Sequence, residues 1–156
     1  MFEFPTNDGL GVLAGTSLAD AAFVFAETSE RFVPKGESLL VATVSLTATE
    51  VWELLVVAEF EFAKVLAANL LGIEETSDEA RVSAVEALGE WVNILAGSVA
   101  VECKGGNETF QIGIPAVVAE GGESAGAALD KAFRRVNLIT DSGQYLAVAL
   151  RPLEAA

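Results

Sequence analysis

The chain has 156 residues, of which 52% are hydrophobic, and a formal net charge of −14 at pH 7. This length is typical of one domain, so we expect a single domain over residues 1–156 with a substantial apolar core. The acidic balance argues against binding to nucleic acid or to an anionic membrane surface, because both are bound mainly through Lys and Arg.

The first half of the chain predicts a helix, two strands and a second helix. Ser17 with Asp20 resembles a capping box ahead of an apolar stripe, which favours a helix there. β-Branched residues that alternate with other side chains favour the two strands, and Gly72 is typical of a helix C-cap. The predicted elements are a helix over 17–29, strands over 39–47 and 51–60, and a helix over 61–71.

The second half repeats this order with more strands. Thr76 and Glu79 fit a capping box, so a long helix is predicted from there to about Ala96, ending at Gly97. The further predictions are strands over 98–104 and 108–118 around the turn 105–107, a loop at 121–124, a short helix over 125–131, and a hairpin of strands over 133–140 and 145–150. The pattern predicts an α/β sandwich of two loosely related halves, with helices on a largely antiparallel sheet.

Residue counts exclude several kinds of chemistry. The sequence has no histidine, which rules out Ser–His and Cys–His nucleophile systems. Its one cysteine, Cys103, cannot form an internal disulfide or a zinc site of the usual kind, and its position in a predicted strand favours a small buried hydrophobe. We therefore expect no metal or cofactor bound by this chain itself.

Location is predicted only by default. The first residues carry an early acid and no basic segment, so no secretory signal is recognised. The apolar stretch from Val51 to Leu71 contains Glu53, Glu59, Glu61 and Lys64, which argues against a membrane span. A cytoplasmic protein without a membrane partner is the expectation.

The most informative stretch lies in the predicted long helix. Glu86, Glu90, Asn93 and Gly97 recur at steps that place them on one stripe of a helix with about 3.6 residues per turn. The side chains predicted to face the core on the opposite side are Ala84, Leu88, Val92 and Leu95. Two glutamates at i, i+4 repel each other by roughly 0.2–0.5 kcal/mol, so solubility alone does not explain the pattern. A docking face with an amide on it does.

Three runs of the sequence resemble a known family. They are Leu-Ala-Ala-Asn-Leu-Leu-Gly over 66–72, Glu-Ala-Leu-Gly-Glu-Trp-Val-Asn-Ile-Leu-Ala-Gly over 86–97, and Phe-Gln-Ile-Gly-Ile-Pro over 110–115. These runs are similar to the CheX branch of the CheC/CheX/FliY phosphatases, which dephosphorylate the chemotaxis response regulator CheY. The resemblance extends from about Leu39 to Leu150.

The resemblance implies roles for two residues. Asn93 would orient a water for in-line attack on the aspartyl phosphate of a CheY-like regulator, and Glu90 would pair with a lysine of that regulator. Glu86, Gly89 and Gly97 would contribute to docking. The magnesium would come with the phosphorylated regulator, and pairing through sheet edges would give a homodimer. One site per chain is implied, because the first helix lacks Glu-x-x-Asn.

Three departures from the family pattern bear on this assignment, one of which is an interval from Asn93 to Pro115 that differs from the usual spacing. Glu86 stands where the family commonly has Asp or Ser, and Trp91 is bulkier than the usual residue. The helical wheel turns Trp91 toward the core, so a packing role is favoured. Two other functions stay open beside the phosphatase: an adaptor that binds a receiver domain without turnover, and a structural dimerisation module.

Overall fold

The computed structural model describes residues 3–34, 38–103 and 110–153. Within these residues the chain forms four helices and seven strands. In chain order they are α1 (Asn7–Ala22), β1 (Ala26–Ser29), β2 (Ser38–Thr47), β3 (Val51–Glu59), α2 (Phe60–Leu71), α3 (Asp78–Glu102), β4 (Gln111–Ile112), β5 (Ala116–Gly121), α4 (Gly122–Leu129), β6 (Arg134–Thr140) and β7 (Tyr145–Pro152). Helices and groups of strands alternate as predicted, but β1 was not predicted.

All strands join one open sheet through antiparallel pairs. The order is β1-β6-β7-β3-β2-β4, and β5 also pairs with β2. The long β2–β3 hairpin, in register from Leu39 with Glu59 to Thr47 with Val51, forms the centre. The two outer edges of the sheet, among the described strands, are therefore β1 on one side and β4 with β5 on the other.

The sheet separates two cores of unequal size. Alternate residues of β2 point to opposite faces, as a strand requires. One set packs beneath α1, α2 and α3, and comprises Leu40, Ala42, Val44 and Leu46. On the other face Leu39 and Val41 pack with α4, while the polar residues further along β2 are partly exposed. The larger core therefore fixes the position of the three helices, and with them any site on their outer surface.

The first helix begins ten residues and ends seven residues before the predicted bounds of 17–29. The helix begins after Thr6, whose hydroxyl accepts a hydrogen bond from the Gly9 amide at 3.0 Å, and residues 26–29 form a strand instead. Gly9, Gly11 and Gly15 lower the intrinsic helix propensity of this segment. Tertiary packing overrides that preference, because a Cβ on Gly11 would lie 3.1 Å from Val136 and 3.2 Å from Thr28. The glycine lets α1 approach the sheet closely.

The boundaries of α3 also differ from the prediction. The N-cap is Ser77, which accepts from the Ala80 amide at 3.1 Å, rather than Thr76. Gly97 does not end the helix, which continues to Glu102, so the strand predicted over 98–104 is wrong. Packing of Val99 into the core outweighs the low helix propensity of a single glycine.

Cys103 follows the last residue of α3 and is half-buried, rather than lying in a strand. Burial raises the pKa of its thiol to about 11, and the nearby charge of Glu102 contributes to the increase. The thiol is therefore neutral at physiological pH, as the apolar interpretation of this cysteine requires.

The remaining predictions hold in part. The strand predicted over 108–118 is two short strands, β4 and β5, and the turn at 105–107 lies outside the described residues. The predicted loop at 121–124 already belongs to β5 and α4. The strands β2 and β3, the helix α2 with its left-handed C-cap Gly72, and the β6–β7 hairpin are confirmed.

Length and composition alone would allow α3 to cross a membrane, and it is the one described helix of which this is true. Nine of its residues are buried against the rest of the domain. The core helix of a soluble protein meets the same two criteria, and the packing of α3 between α1, α2 and the sheet is of that kind.

Candidate functional site

The predicted stripe on α3 faces solvent. The side chains of Glu86, Glu90 and Asn93 are exposed. The opposite side of the helix is fully buried, at Ala84, Leu88, Val92 and Leu95. The helix therefore presents two carboxylates and one carboxamide outward from a rigid base. This geometry is what a group that must reach into another molecule requires.

A buried hydrogen bond fixes the rotation of α3 next to this stripe. Trp91 is 1% exposed, and its indole N–H donates to the Ser17 hydroxyl of α1 at 2.8 Å. Ser17 in turn donates to the Ala14 carbonyl at 2.9 Å, and the Trp91 ring meets Phe62 of α2 edge to face. Trp91 is thus a packing residue, as the helical wheel predicts, and it ties α3 to both neighbouring helices.

Ser17 is therefore not the helix cap that the sequence suggested. It lies within α1 and is buried, and its hydroxyl links two helices. No local pattern in the sequence identifies this partner, because Ser17 and Trp91 are far apart in the chain.

On one side of the stripe, a groove separates α3 from the start of β5. Its volume is about 280 Å³, and we call it the β5 groove. It is lined by Val85, Glu86, Gly89, Glu90, Asn93, Pro115 and Val117. Pro115 comes directly before β5, as a strand-end proline would. Both residues singled out from the sequence for chemistry, Glu90 and Asn93, therefore line the same groove.

The two glycines predicted to assist docking are placed differently. A Cβ on Gly89 would lie 3.7 Å from Val117 and 3.8 Å from Pro115, which is ordinary contact distance, so Gly89 forms part of the groove floor. A Cβ on Gly97 would come no nearer than 4.0 Å to Ile112, and Gly97 does not line the groove. The sequence did not identify Val85 and Val117, since isolated valines carry no signal of a site.

On the other side of the stripe lies a second groove, between α3 and the C-terminal ends of α1 and α2. Its volume is about 340 Å³, and we call it the α2 groove. Trp91 and Ala87 belong to its wall, and Glu86 and Glu90 border it as they border the β5 groove. The acidic stripe is thus a ridge between two grooves.

The ridge carries unneutralised acid. In the part of the chain that the structure describes, the ion pairs join Lys64 to Glu61 and Arg151 to Glu53, and neither lies on the ridge. The side chains of Glu90 and Asn93 make no hydrogen bond within these residues either. They are therefore free to bind an external partner, and a cationic group is the natural partner of the carboxylates.

Neither Arg134 nor Arg135 forms an ion pair with a residue that the structure describes. Arg134 donates to the Pro5 carbonyl at 2.9 Å and lies 4.1 Å from the centre of the Phe133 ring, while Arg135 donates to Asn137 at 3.1 Å. Asn69 satisfies a backbone group that is distant in sequence: it donates to the Ala22 carbonyl at the end of α1 at 2.8 Å.

Comparison with known proteins identifies the family. The family model for chemotaxis phosphatase CheX matches residues 40–136, which include α3 and both edges of the β5 groove. Because this match covers more than half of the chain, the protein belongs to the CheX family. The predicted family is confirmed. No curated protein matches the sequence significantly.

Solved structures share the fold at low sequence identity. The CheX protein of Desulfovibrio desulfuricans has a TM-score of 0.65 and 16% identity, covering 92% of this chain and 96% of that chain. CheX in the CheX–CheY–BeF3–Mg2+ complex from Borrelia burgdorferi has a TM-score of 0.65 and 17% identity, covering 96% and 99%. Thermotoga maritima FliY has a TM-score of 0.55 and 14% identity, covering 92% and 88%. The predicted α/β architecture is therefore confirmed.

Proposed function

We propose that the protein removes phosphate from the aspartyl phosphate of a CheY-like response regulator. In this reaction Asn93 orients the attacking water and Glu90 docks against the regulator's lysine. The observation that carries the proposal is the joint exposure of these two side chains on one wall of the β5 groove. Family membership supports the reaction class, and the Borrelia burgdorferi complex supports a CheY-like partner.

The proposed reaction requires few functional groups from this chain. Water attacks phosphorus as the bond from phosphorus to the aspartyl oxygen breaks, which releases inorganic phosphate and restores the aspartate. The transition state of phosphoryl transfer is loose, so positioning and charge neutralisation supply most of the acceleration. The regulator would bring the magnesium and the lysine, and this chain would bring the amide that holds the water in line.

An asparagine suits that task for a physical reason. Its carboxamide offers an acceptor for a water proton and donors for a phosphoryl oxygen, and it carries no charge to repel the phosphate. Glu90 lies one helical turn before Asn93 on the same face, so a lysine bound to Glu90 is held close to the amide. No histidine takes part, which agrees with a sequence that has none.

A dephosphorylation assay tests the proposal. A receiver domain from the same cell is phosphorylated with a small phosphodonor, and loss of phosphate is followed with and without this protein. We expect the wild type to accelerate the loss. Asn93→Ala should abolish the acceleration while binding persists, and Glu90→Ala should weaken binding more than it slows bound turnover.

Two control variants sharpen the assay. Glu102→Ala removes another exposed glutamate of α3 that lines neither groove, and it should leave both binding and turnover unchanged. Asn93→Asp keeps an acceptor but adds a negative charge beside the phosphate, and it should be nearly as slow as Asn93→Ala. Unchanged phosphate loss across a panel of receivers that bind would instead favour the adaptor function.

A homodimer through a sheet edge is a separate part of the proposal. Near the β4–β5 edge, Ile114 is 92% exposed and Val118 is 51% exposed, and pairing of two such edges would cover apolar surface of this kind. Light scattering at micromolar concentration is the test. A monomeric mass would remove the edge-paired dimer without affecting the phosphatase proposal.

A further inference from the structure

The α2 groove is bordered by large apolar side chains that are exposed to solvent. Three large side chains border it and remain accessible: Leu70 is 42% exposed, Leu71 is 51% exposed and Ile94 is 45% exposed. Scattered exposed leucines are ordinary, but three around one concavity form a contiguous apolar patch, and such patches mark interaction sites. Leu70 lies about one turn after the buried Leu66 on α2, yet it is exposed, which departs from simple amphipathicity.

The largest side chain in the wall of this groove has no free hydrogen-bonding group. Trp91 lies in the wall, and the one polar atom of its indole is already bound to Ser17 at 2.8 Å. What the ring offers to the groove is therefore hydrocarbon. Polar side chains, Ser83, Glu86 and Glu90, occur at the α3 border. The groove thus suits an apolar side chain with a cationic or hydrogen-bonding neighbour.

The end of α1, which forms part of the wall, is unusual in its backbone. Phe23 directly follows the wall residue Ala22, and it adopts a left-handed conformation with φ of 54° while 73% exposed. A left-handed conformation costs a residue with a Cβ roughly 1–2 kcal/mol, and glycine is the usual residue at such a cap. Strain of this kind persists where the surrounding structure holds it, often at sites of function.

Asn69 is what holds this end of α1 against α2. Its amide donates to the Ala22 carbonyl at 2.8 Å, so two walls of the groove are fixed relative to each other. Trp91 fixes α3 to α1 through Ser17. The concavity is therefore built by hydrogen bonds between helices rather than left between loose elements.

We propose that the α2 groove binds an apolar side chain of the same response regulator, on the segment next to the lysine that pairs with Glu90. The inference rests on the proposed function. It adds which part of the regulator is bound, and it assigns binding and turnover to different residues of this chain. We choose the response regulator as the occupant because the two grooves share a border. Glu86 and Glu90 border both of them, so a regulator that engages Glu90 and reaches Asn93 also lies over the α2 groove.

This arrangement separates affinity from turnover. The α2 groove and the carboxylates supply binding energy, and Asn93 on the far side of the ridge supplies positioning for the reaction. Binding energy from parts of the partner that do not react is a general way to hold the reacting parts in place. The groove variants should therefore change the dissociation constant and KM, while Asn93 variants change kcat.

The test measures binding and turnover on matched variants. The probe is a CheY-like receiver domain from the same cell, loaded with Mg2+ and beryllofluoride for binding by calorimetry and phosphorylated for turnover. The groove variants are Leu71→Gln and Ile94→Gln. The control is Val101→Gln, which alters an 82% exposed residue of α3 that lines neither groove.

We expect each groove variant to raise the dissociation constant about tenfold, because an apolar contact is replaced by a buried amide without a partner. Turnover at saturating receiver should stay within about twofold, and the control should bind like the wild type. Leu71→Met, which keeps an apolar side chain of similar volume, should bind the receiver with about the wild-type affinity. Circular dichroism verifies that every variant is folded.

Other outcomes are equally clear. Unchanged affinity in both groove variants overturns the inference, and so does a change in oligomeric mass caused by those variants, which would make the groove an interface between copies of this chain. If the wild type binds the receiver without accelerating phosphate loss, and the groove variants weaken that binding, the phosphatase proposal fails and the groove assignment stands. If the wild type is active and the groove variants bind normally, the groove assignment fails and the phosphatase proposal stands.

Discussion

The two faces of α3 follow different rules. The inner face is apolar, fully buried and tied to α1 through the Trp91–Ser17 hydrogen bond. The outer face carries Glu86, Glu90 and Asn93, which contribute nothing to the core. Folding therefore constrains one face and leaves the other free to be selected for a partner. The stability of the protein and its proposed activity should therefore respond to separate sets of substitutions.

The largest effect is expected on the inner face. Trp91→Ala removes a side chain that is 1% exposed and packs against Phe62, so the free energy of unfolding should fall by about 3–5 kcal/mol. Urea denaturation followed by circular dichroism measures this loss. Trp91→Phe, which keeps an aromatic ring but loses the indole donor, should cost clearly less. A loss below about 1 kcal/mol for the alanine variant would contradict the packing role.

On the outer face, Asn93→Ala should return phosphate loss to the rate of the receiver alone, a reduction of about a hundredfold or more, which corresponds to at least about 2.7 kcal/mol of transition-state stabilisation. The free energy of unfolding should change by less than about 0.5 kcal/mol, because the side chain is exposed and makes no hydrogen bond in the described chain.

Asn69 is the matched control for this variant. It is also an asparagine on a helix, but it donates to the Ala22 carbonyl at 2.8 Å. Asn69→Ala should cost about 1 kcal/mol of stability and leave kcat unchanged. If Asn93→Ala destabilised the fold as much as Asn69→Ala does, the separation of the two faces would be wrong.

A smaller effect is expected where the inner face meets α1. Ser17→Ala leaves the buried Trp91 indole N–H without its acceptor, so stability should fall by about 1–2 kcal/mol. Thermal and urea denaturation both report this change. Ser17→Thr keeps a hydroxyl and tests the alternative that only the volume of the residue matters: an equal loss in both variants would point to packing rather than to the hydrogen bond.

The same contrast explains what the sequence could predict. Periodicity identified the buried face of α3 and the exposed stripe, because both depend on the geometry of a single helix. The three runs that resemble the CheX family led to the correct fold. The predicted end of α3 was wrong. Gly97 favoured a helix stop there, whereas the helix continues to Glu102 because Val99 packs into the core.

The grooves could not be predicted at all, since each depends on elements distant in sequence. The β5 groove joins α3 to Pro115, and the α2 groove joins α3 to the ends of α1 and α2. The Ser17–Trp91 and Asn69–Ala22 hydrogen bonds, which set the walls, also link residues far apart in the chain. A local pattern carries no information about such partners.

The smallest expected effect is a gain in stability rather than a loss. Glu86→Gln removes a like-charge pair at i, i+4 with Glu90, so the stability of the protein should rise by about 0.2–0.5 kcal/mol at low salt and converge with the wild type at high salt. Binding to the receiver should weaken slightly at the same time, because a carboxylate at the border of both grooves is lost. Denaturation and calorimetry at two salt concentrations measure the two changes on one protein. A gain in stability with a loss in affinity is what an outer face selected for a partner predicts, whereas a loss of both would mean that Glu86 supports the fold.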